Sequence, residues 1–180
     1  MQLSIIIPTY REAENLGILL PRLAESISAN RISAEIIVVD DDSQDGTREL
    51  CALLQGGESQ IEVPRILITR SERGLSSAVI QGMEAATGDV LLCMDADLSH
   101  PVEAVAKLYN ALESPDANAE FVIGSRYANG GNYSHSQFHA ANGPAQFVQG
   151  PLQVTYSSDE GLKVVGHFAP PHLIIHGRIA

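Results

Sequence analysis

The chain has 180 residues, of which 44% are hydrophobic and 18% are charged, a composition typical of a folded globular domain. Its formal net charge of −11 at pH 7 argues against non-specific binding to nucleic acid or to an anionic membrane surface. No apolar run approaches the ~18 residues of a membrane-spanning helix, and the amino terminus does not resemble a signal peptide. We therefore expect a cytoplasmic protein that meets a membrane only peripherally, at its cytoplasmic face.

Charged residues are distributed unevenly along the chain. Residues 1–131 contain 20 of the 22 acidic and 9 of the 11 basic residues, whereas five of the six histidines come later. This change in composition predicts a folded domain over residues 1–131, followed by an atypical Gly-, Pro- and His-rich tail over residues 132–180. Disorder, truncation and a shifted reading frame are three alternative explanations of that tail.

The first half of the domain alternates strand and helix patterns. A β-branched run at residues 3–7 predicts a buried strand, and apolar residues at helical spacing predict a helix over residues 13–27. Thr9 and Glu12 have the spacing of a capping box at the start of that helix, and Pro21 is expected to kink it or to delay its start. A second strand at residues 35–40 precedes a short helix at 47–54.

The second half repeats the alternation. A third strand is predicted at residues 66–69, and a helix at 74–86 with Gly88 as its C-terminal stop signal. The apolar run at 90–94 predicts a strand buried on both faces, followed by a helix that begins at Pro101. A last strand is predicted at residues 120–123.

Strands that alternate with helices indicate βαβ units and an α/β fold with a mostly parallel, doubly wound sheet. Ligands of such sheets lie outside the carboxyl ends of the strands. Distinctive residues follow four of the predicted strands: Tyr10, the Asp40 to Asp42 triplet, the Asp95/Asp97 pair, and Arg126. We therefore expect one site at this edge of the sheet.

The residues at these strand ends favour a metal-held diphosphate. Two carboxylates at spacing two, Asp95 and Asp97, are hard oxygen ligands that suit Mg²⁺ or Mn²⁺, and such ions take further ligands from substrate phosphates. Neither the glycine pattern of a dinucleotide-binding turn nor a P-loop follows a predicted strand. A phosphoacceptor receiver domain is also doubly wound and acid-lined, but it requires an acid pair after the first strand, where this chain has Pro8-Thr9-Tyr10.

Several segments together resemble the family 2 glycosyltransferases, and within that family the dolichyl- or polyprenyl-phosphate mannose synthases. The resemblance covers residues 1–131, and the segments occur in the family's order. They are IIIPTYREAEN from Ile5, VVDDDSQDGT from Val38, RGL from Arg73, MDADLSHP from Met94 and GSRY from Gly124.

The resemblance implies a GT-A nucleotide-sugar-binding fold, incomplete at its C-terminus, and assigns roles to matching residues. Pro8, Tyr10 and Glu12 would border the nucleoside of a nucleotide-sugar donor. Either Asp40 or Asp42 would contact the base or ribose, and the choice stays open because Asp42 stands where the family usually has glycine or asparagine.

The same resemblance implies a metal and phosphate site. Asp95 and Asp97 would hold Mg²⁺ or Mn²⁺ against the donor diphosphate, with Asp97 also catalytic. Ser99 stands where some relatives have a glutamine ligand, so it is a third candidate ligand. Arg126 would be catalytic, meeting a phosphate of the donor or the acceptor.

The expected function is the metal-dependent, inverting transfer of mannose from GDP-mannose to a polyprenyl or dolichyl phosphate at a membrane surface. No nucleic acid partner and no membrane-spanning segment are expected. Two alternatives stay open: a family 2 transferase that uses a UDP-sugar and another acceptor, and an inactive nucleotide-sugar-binding remnant without the acceptor region.

Overall fold

The computed structural model describes residues 2–56, 65–71, 73–113, 121–124 and 173–176. These residues form six strands and four helices, and their order follows the alternation predicted from the sequence. In chain order they are β1 (Leu3–Thr9), α1 (Ala13–Ala29), β2 (Ala34–Asp40), α2 (Thr47–Gly56), β3 (Arg65–Thr69), α3 (Leu75–Ala85), β4 (Val90–Cys93), α4 (Glu103–Glu113), β5 (Phe121–Gly124) and β6 (Leu173–His176).

The strands form one sheet in the order β3-β2-β1-β4-β6-β5. Strands β3, β2, β1 and β4 are parallel neighbours, which confirms the mostly parallel sheet. Because β1 is followed by β2 on one side and pairs with β4 on the other, the strand order reverses at β1. The carboxyl ends of β1, β2 and β4 therefore meet at the switch point, where α/β sheets bind ligands.

Apolar side chains cover both faces of the sheet, as expected for a doubly wound fold. Ile5 and Ile7 pack on one face in the larger core, which includes residues of α1 and α4. Ile6, between them, packs on the other face in a smaller core with Ala78 of α3, because side chains alternate along a strand.

Strand β6 comes from the region predicted to be a tail. It pairs antiparallel with β4 on one side and with β5 on the other, so residues 173–176 complete the sheet between them. The predicted domain boundary at residue 131 stays a prediction, because the chain on either side of it lies outside the described residues. None of the described helices is long and apolar enough to cross a membrane.

The start of α1 differs from the predicted capping box. Glu12 is the N-cap and makes no side-chain capping bond, while Thr9 belongs to β1 and its hydroxyl donates to Asp40 Oδ1 at 3.1 Å. The exposed helix N–H of Ala13 is instead capped by Asp45 Oδ2, at 3.0 Å, from the β2–α2 connection. The capping box prediction is wrong because α1 begins at Ala13, so Glu12 takes the N-cap position that the prediction gave to Thr9.

Three other predictions about the helices can be compared with the structure. Helix α1 continues through Pro21, which confirms helix on both sides of that residue. Helix α4 begins at Glu103 rather than at Pro101. Gly88 is not the stop signal of α3, which ends at Ala85; instead, a Cβ on Gly88 would lie 2.6 Å from the Gln2 carbonyl, so close packing requires glycine there.

A buried carboxylate fastens the end of the sheet that lies opposite the switch point. Glu35, 4% exposed, accepts hydrogen bonds from the Ser4 hydroxyl at 2.6 Å and from the Thr87 N–H and hydroxyl at 2.6 and 2.9 Å. Burial raises the pKa of Glu35, but the hydrogen bonds from Ser4, Thr87 and Gly88 outweigh burial, so the pKa falls below its usual 4.5. These bonds connect β1, β2 and the segment between α3 and β4.

We predict that the free energy of unfolding of Glu35→Gln changes less with pH than that of the wild type. Because the folded-state pKa lies below the unfolded value, the ionised carboxylate stabilises the fold above pH 4.5, and this stabilisation is lost as the pH falls through the folded-state pKa. Urea midpoints measured from roughly pH 7 to roughly pH 3 should show a gap between wild type and variant that closes on acidification.

The matched control is Glu25→Gln, which changes an exposed acid of α1 and should follow the wild type at every pH. A gap between wild type and Glu35→Gln that stays constant across the pH range would contradict the role assigned to the Glu35 carboxylate.

Candidate functional site

The carboxyl ends of the parallel strands bring the predicted site residues to one edge of the sheet. Thr9 of β1 is level with Asp40 of β2, and Asp40 is level with Thr69 of β3. The segments that follow these strands and β4 therefore start from neighbouring points. Loops on this edge carry the acids that the sequence singled out.

Three possible metal ligands lie together after β4. One ligand atom each from Asp95, Asp97 and His100 fall within 4.8 Å of one another. Asp97 is exposed, Asp95 is half-buried and His100 is buried. Leu98, between the two acids and the histidine, has a φ of 61°, and this left-handed residue turns the chain so that His100 returns toward the acids.

Charge and burial act together on Asp95. Burial raises the pKa of the Asp95 carboxyl, nearby His100 lowers it, and the like charge of Asp97 raises it again, leaving the pKa above its usual 3.8. Neighbouring carboxylates that share a cation are stabilised as anions by its charge. The donor set of two carboxylate oxygens and an imidazole nitrogen therefore fits a divalent ion of the Mn²⁺ type.

Ser99 makes two contacts within this turn. Its N–H donates to Asp97 Oδ1 at 2.9 Å, and its hydroxyl lies 3.3 Å from His100 Nδ1. Its expected role as a metal ligand stays a prediction. His100 was not among the site residues predicted from the sequence, although it lies three residues after Asp97 and directly before Pro101.

The three consecutive aspartates after β2 have different environments. Asp40 is 5% exposed and accepts hydrogen bonds from the Thr9 hydroxyl, the Ser43 N–H and the Ser43 hydroxyl. Asp41, also buried, pairs with Arg70 across 3.2 Å. Asp42 is exposed, with a φ of 51° that explains why glycine or asparagine suits this position.

A cleft of about 340 Å³ opens beside the connection between β2 and α2. Its lining includes Asp40, Asp42, Thr69 at the end of β3, and Arg48 of α2. Asp42 accepts a hydrogen bond from Gln44 Nε2 at 2.6 Å. Because the Asp40 oxygens are already bonded within the loop, Asp42 is the acid of the two that is more open to a ligand.

Asp45 connects the starts of two helices at this edge. One carboxylate oxygen caps Ala13 of α1, and the other accepts from the Thr47 N–H and hydroxyl, at 3.1 and 2.7 Å, at the start of α2. Burial raises the pKa of Asp45, but the bonds from Thr47 and Ala13 lower it below the usual 3.8. Sequence reasoning missed this residue, because the contact with α1 spans 32 positions.

The residues after β1 lie beside these acids. Tyr10 is 37% exposed, whereas Pro8 is a buried residue of β1 paired with Val39. Glu12 accepts a hydrogen bond from Asn15 Nδ2 within α1. Arg126 and its neighbours lie outside the described residues, so their predicted contact with a phosphate stays a prediction.

Comparison with known proteins identifies the family. The family model described as glycosyl transferase family 2 matches residues 4–168. The chain is 43% identical over 140 residues to the dolichol-phosphate mannosyltransferase of Pyrococcus furiosus, an alignment covering 77% of this chain and 37% of that protein. It is 44% identical over 131 residues to the enzyme of the same name from Mycosarcoma maydis, covering 71% and 42%.

A solved structure shows the same fold. The mannosyltransferase PcManGT from Pyrobaculum calidifontis, in complex with GDP-Man and Mn²⁺, superimposes with a TM-score of 0.56 at 26% identity, covering 66% of this chain and 34% of that one. The predicted GT-A fold is confirmed by this likeness. The chain spans less than half the length of these curated relatives, and it belongs to glycosyl transferase family 2.

Proposed function

We propose that the protein transfers mannose from GDP-mannose to a polyprenyl or dolichyl phosphate, with inversion at the anomeric carbon and with a divalent cation. The observation that carries this proposal is the convergence of Asp95, Asp97 and His100 at the switch point of a family 2 chain. The names of the curated relatives support the acceptor class. The GDP-Man and Mn²⁺ of the similar structure support the donor and the ion.

In this proposal Asp95, Asp97 and His100 hold Mn²⁺ or Mg²⁺, with Ser99 a further candidate. When bound, such an ion supplies positive charge that stabilises the leaving diphosphate. The imidazole of His100 favours Mn²⁺ over Mg²⁺, because nitrogen ligands suit transition metals better than the harder Mg²⁺. The half-buried position of Asp95 strengthens its interaction with a cation by limiting competition from water.

The nucleoside is proposed to lie along the edge formed by β1, β2 and β3. Tyr10 and Asp42 are its exposed candidate contacts, whereas Pro8, Glu12 and Asp40 shape that edge through their strand and loop contacts. This arrangement leaves the diphosphate pointing from β1 toward β4, where the Asp95 and Asp97 carboxylates lie.

In the proposed reaction an oxygen of the lipid phosphate attacks the anomeric carbon of mannose. A new bond forms between that oxygen and the anomeric carbon, and the bond to the β-phosphate oxygen of GDP breaks, with the electron pair leaving on GDP. A phosphate acceptor is already an anion near neutral pH, so no strong general base is required. Arg126 is proposed to neutralise a phosphate charge, and the reaction would occur at a membrane surface.

A turnover assay tests the function directly. Labelled GDP-mannose incubated with farnesyl phosphate and Mn²⁺ should give a labelled lipid product. Labelled UDP-glucose under the same conditions should give none. A labelled product from the UDP-sugar alone would support the alternative donor instead. Binding of GDP-mannose without any transfer would identify a nucleotide-sugar-binding protein.

We predict that Asp97→Ala abolishes the Mn²⁺-dependent part of GDP-mannose binding. Asp97 is exposed, so its loss should leave the fold intact while removing one carboxylate ligand. Isothermal titration with and without Mn²⁺ measures the effect, and the thermal midpoint checks the fold. The matched control is Asp89→Ala, which removes an exposed acid at the opposite end of β4 and should bind like wild type; equal binding by both variants would rule out Asp97 as a ligand.

We predict that His100→Ala weakens Mn²⁺ binding by at least about ten-fold and reduces the preference for Mn²⁺ over Mg²⁺. Competition between the two ions in the presence of GDP, followed by the EPR signal of free Mn²⁺, measures both quantities. Because His100 is buried, His100→Gln serves as a second variant that retains volume. An unchanged Mn²⁺ to Mg²⁺ preference in both folded variants would remove His100 from the ligand set.

A further inference from the structure

Two arginines converge on the ring of Tyr10, the residue that follows β1. The guanidinium carbon of Arg73 lies 4.4 Å from the ring centroid, and that of Arg11 lies 5.2 Å from it. Both distances are within the ~6 Å range of a cation–π interaction. Both arginines are exposed, so their charges face the solvent from which a ligand arrives.

Buried polar groups position the backbone beside Arg73. The N–H of the next residue, Gly74, donates to Asp41 Oδ2 at 2.8 Å. Arg70, paired with Asp41 across 3.2 Å, donates to the Ser77 hydroxyl at 2.7 Å and to the Gly74 carbonyl at 3.4 Å. Gly74 has a φ of +148°, which other residues rarely adopt, so this loop is closely specified.

The backbone of Arg11 is positioned by a different contact. Its φ of 61° is unusual for a residue other than glycine. Its N–H donates to the Ser43 hydroxyl at 2.8 Å, and that hydroxyl donates in turn to buried Asp40. The conformation of Arg11 is therefore maintained from the β2–α2 connection, and left-handed backbone held in this way is concentrated at functional sites.

The two charges are not neutralised by carboxylates in the described part of the chain. The ion pairs found there join Arg22 to Glu103 and Arg70 to Asp41. Two guanidinium groups on one ring repel each other, and the negative face of the ring offsets this only in part. An anion that contacts both groups would remove the repulsion.

We propose that Arg11 and Arg73, gathered on Tyr10, bind the phosphate oxygens of a substrate. This inference rests on the proposed function, which supplies two sources of the same chemistry: the donor diphosphate and the acceptor phosphate. Guanidinium groups bind phosphate through paired, charge-assisted hydrogen bonds. Tyr10 then supports both cations, because the two guanidinium groups lie against its ring.

The test compares ligands with and without phosphate on Arg73→Gln, Arg73→Lys and Tyr10→Leu. Isothermal titration would use GDP, guanosine, inorganic pyrophosphate and farnesyl phosphate, each with Mn²⁺ and again with EDTA. Arg73→Gln should weaken phosphate-bearing ligands by about ten-fold in both conditions while guanosine stays within about two-fold. Arg73→Lys should retain part of the affinity, because it keeps the charge and loses the planar fork. Tyr10→Leu should lower the affinity for the same phosphate-bearing ligands, because it removes the ring on which the two guanidinium groups lie.

The matched control is Arg31→Gln. Arg31 is exposed and also has a left-handed φ, of 55°, but it lies before β2, at the opposite end of the sheet. This variant makes the same change in net charge and should bind every ligand like wild type.

The outcomes separate the sources. If Arg73→Gln loses affinity for GDP and pyrophosphate, the arginines bind the donor diphosphate. If it loses affinity for farnesyl phosphate alone, they bind the acceptor phosphate. Both results support the phosphate site. An equal loss for guanosine and GDP, or no loss for any ligand in folded Arg73→Gln, overturns it. Wild type could fail to bind GDP and still bind pyrophosphate with an affinity that falls in Arg73→Gln. That result would refute the proposed function and leave this inference standing.

Discussion

The parallel pairing of β1 with β2 on one side and β4 on the other is the constraint on which the rest of the site depends. Strand β1 is followed by β2 in the chain but pairs with β4 as well, so the segments after three separate strands start side by side. The acids after β2 and after β4 lie 55 positions apart when Asp40 and Asp95 are compared, and only this pairing places both on one edge. The opposite edge is fastened by Glu35, Ser4 and Thr87, which maintain the alignment of the same strands.

At the switch point, buried acids organise the loops, and exposed acids are the ones that we propose to contact ligands. Asp40 bonds Thr9 and Ser43, and Asp41 bonds Gly74 and pairs with Arg70. A buried ion pair adds little net stability, because desolvation offsets the attraction, but it specifies where the α3 loop lies. Asp42 and Asp97, by contrast, are exposed. Burial therefore distinguishes the aspartates that organise the loops from those that we propose to contact ligands.

Much of the fold was predictable because it depends on local patterns. The apolar runs of β1, β2 and β4 and the helical spacing of α1 and α4 predicted the right elements, and the acids predicted at the strand ends lie at one edge of the sheet. The features that were missed depend on contacts between distant residues: Asp45 caps α1 from 32 positions away, and Gly88 is required by the Gln2 carbonyl. His100 was missed for a local reason, since the left-handed turn at Leu98 that brings it to the acids has no clear signal in the sequence.

We propose that Asp95, Asp97 and His100 hold a divalent ion against the diphosphate of a nucleotide-sugar. Pulsed EPR of Mn²⁺ bound to the protein together with GDP-mannose tests it most directly, because hyperfine couplings identify the nuclei next to the ion. We expect a phosphorus coupling from the diphosphate and a nitrogen coupling that disappears in His100→Ala while the phosphorus coupling remains. A spectrum identical to that of Mn²⁺ and GDP-mannose without the protein would contradict it.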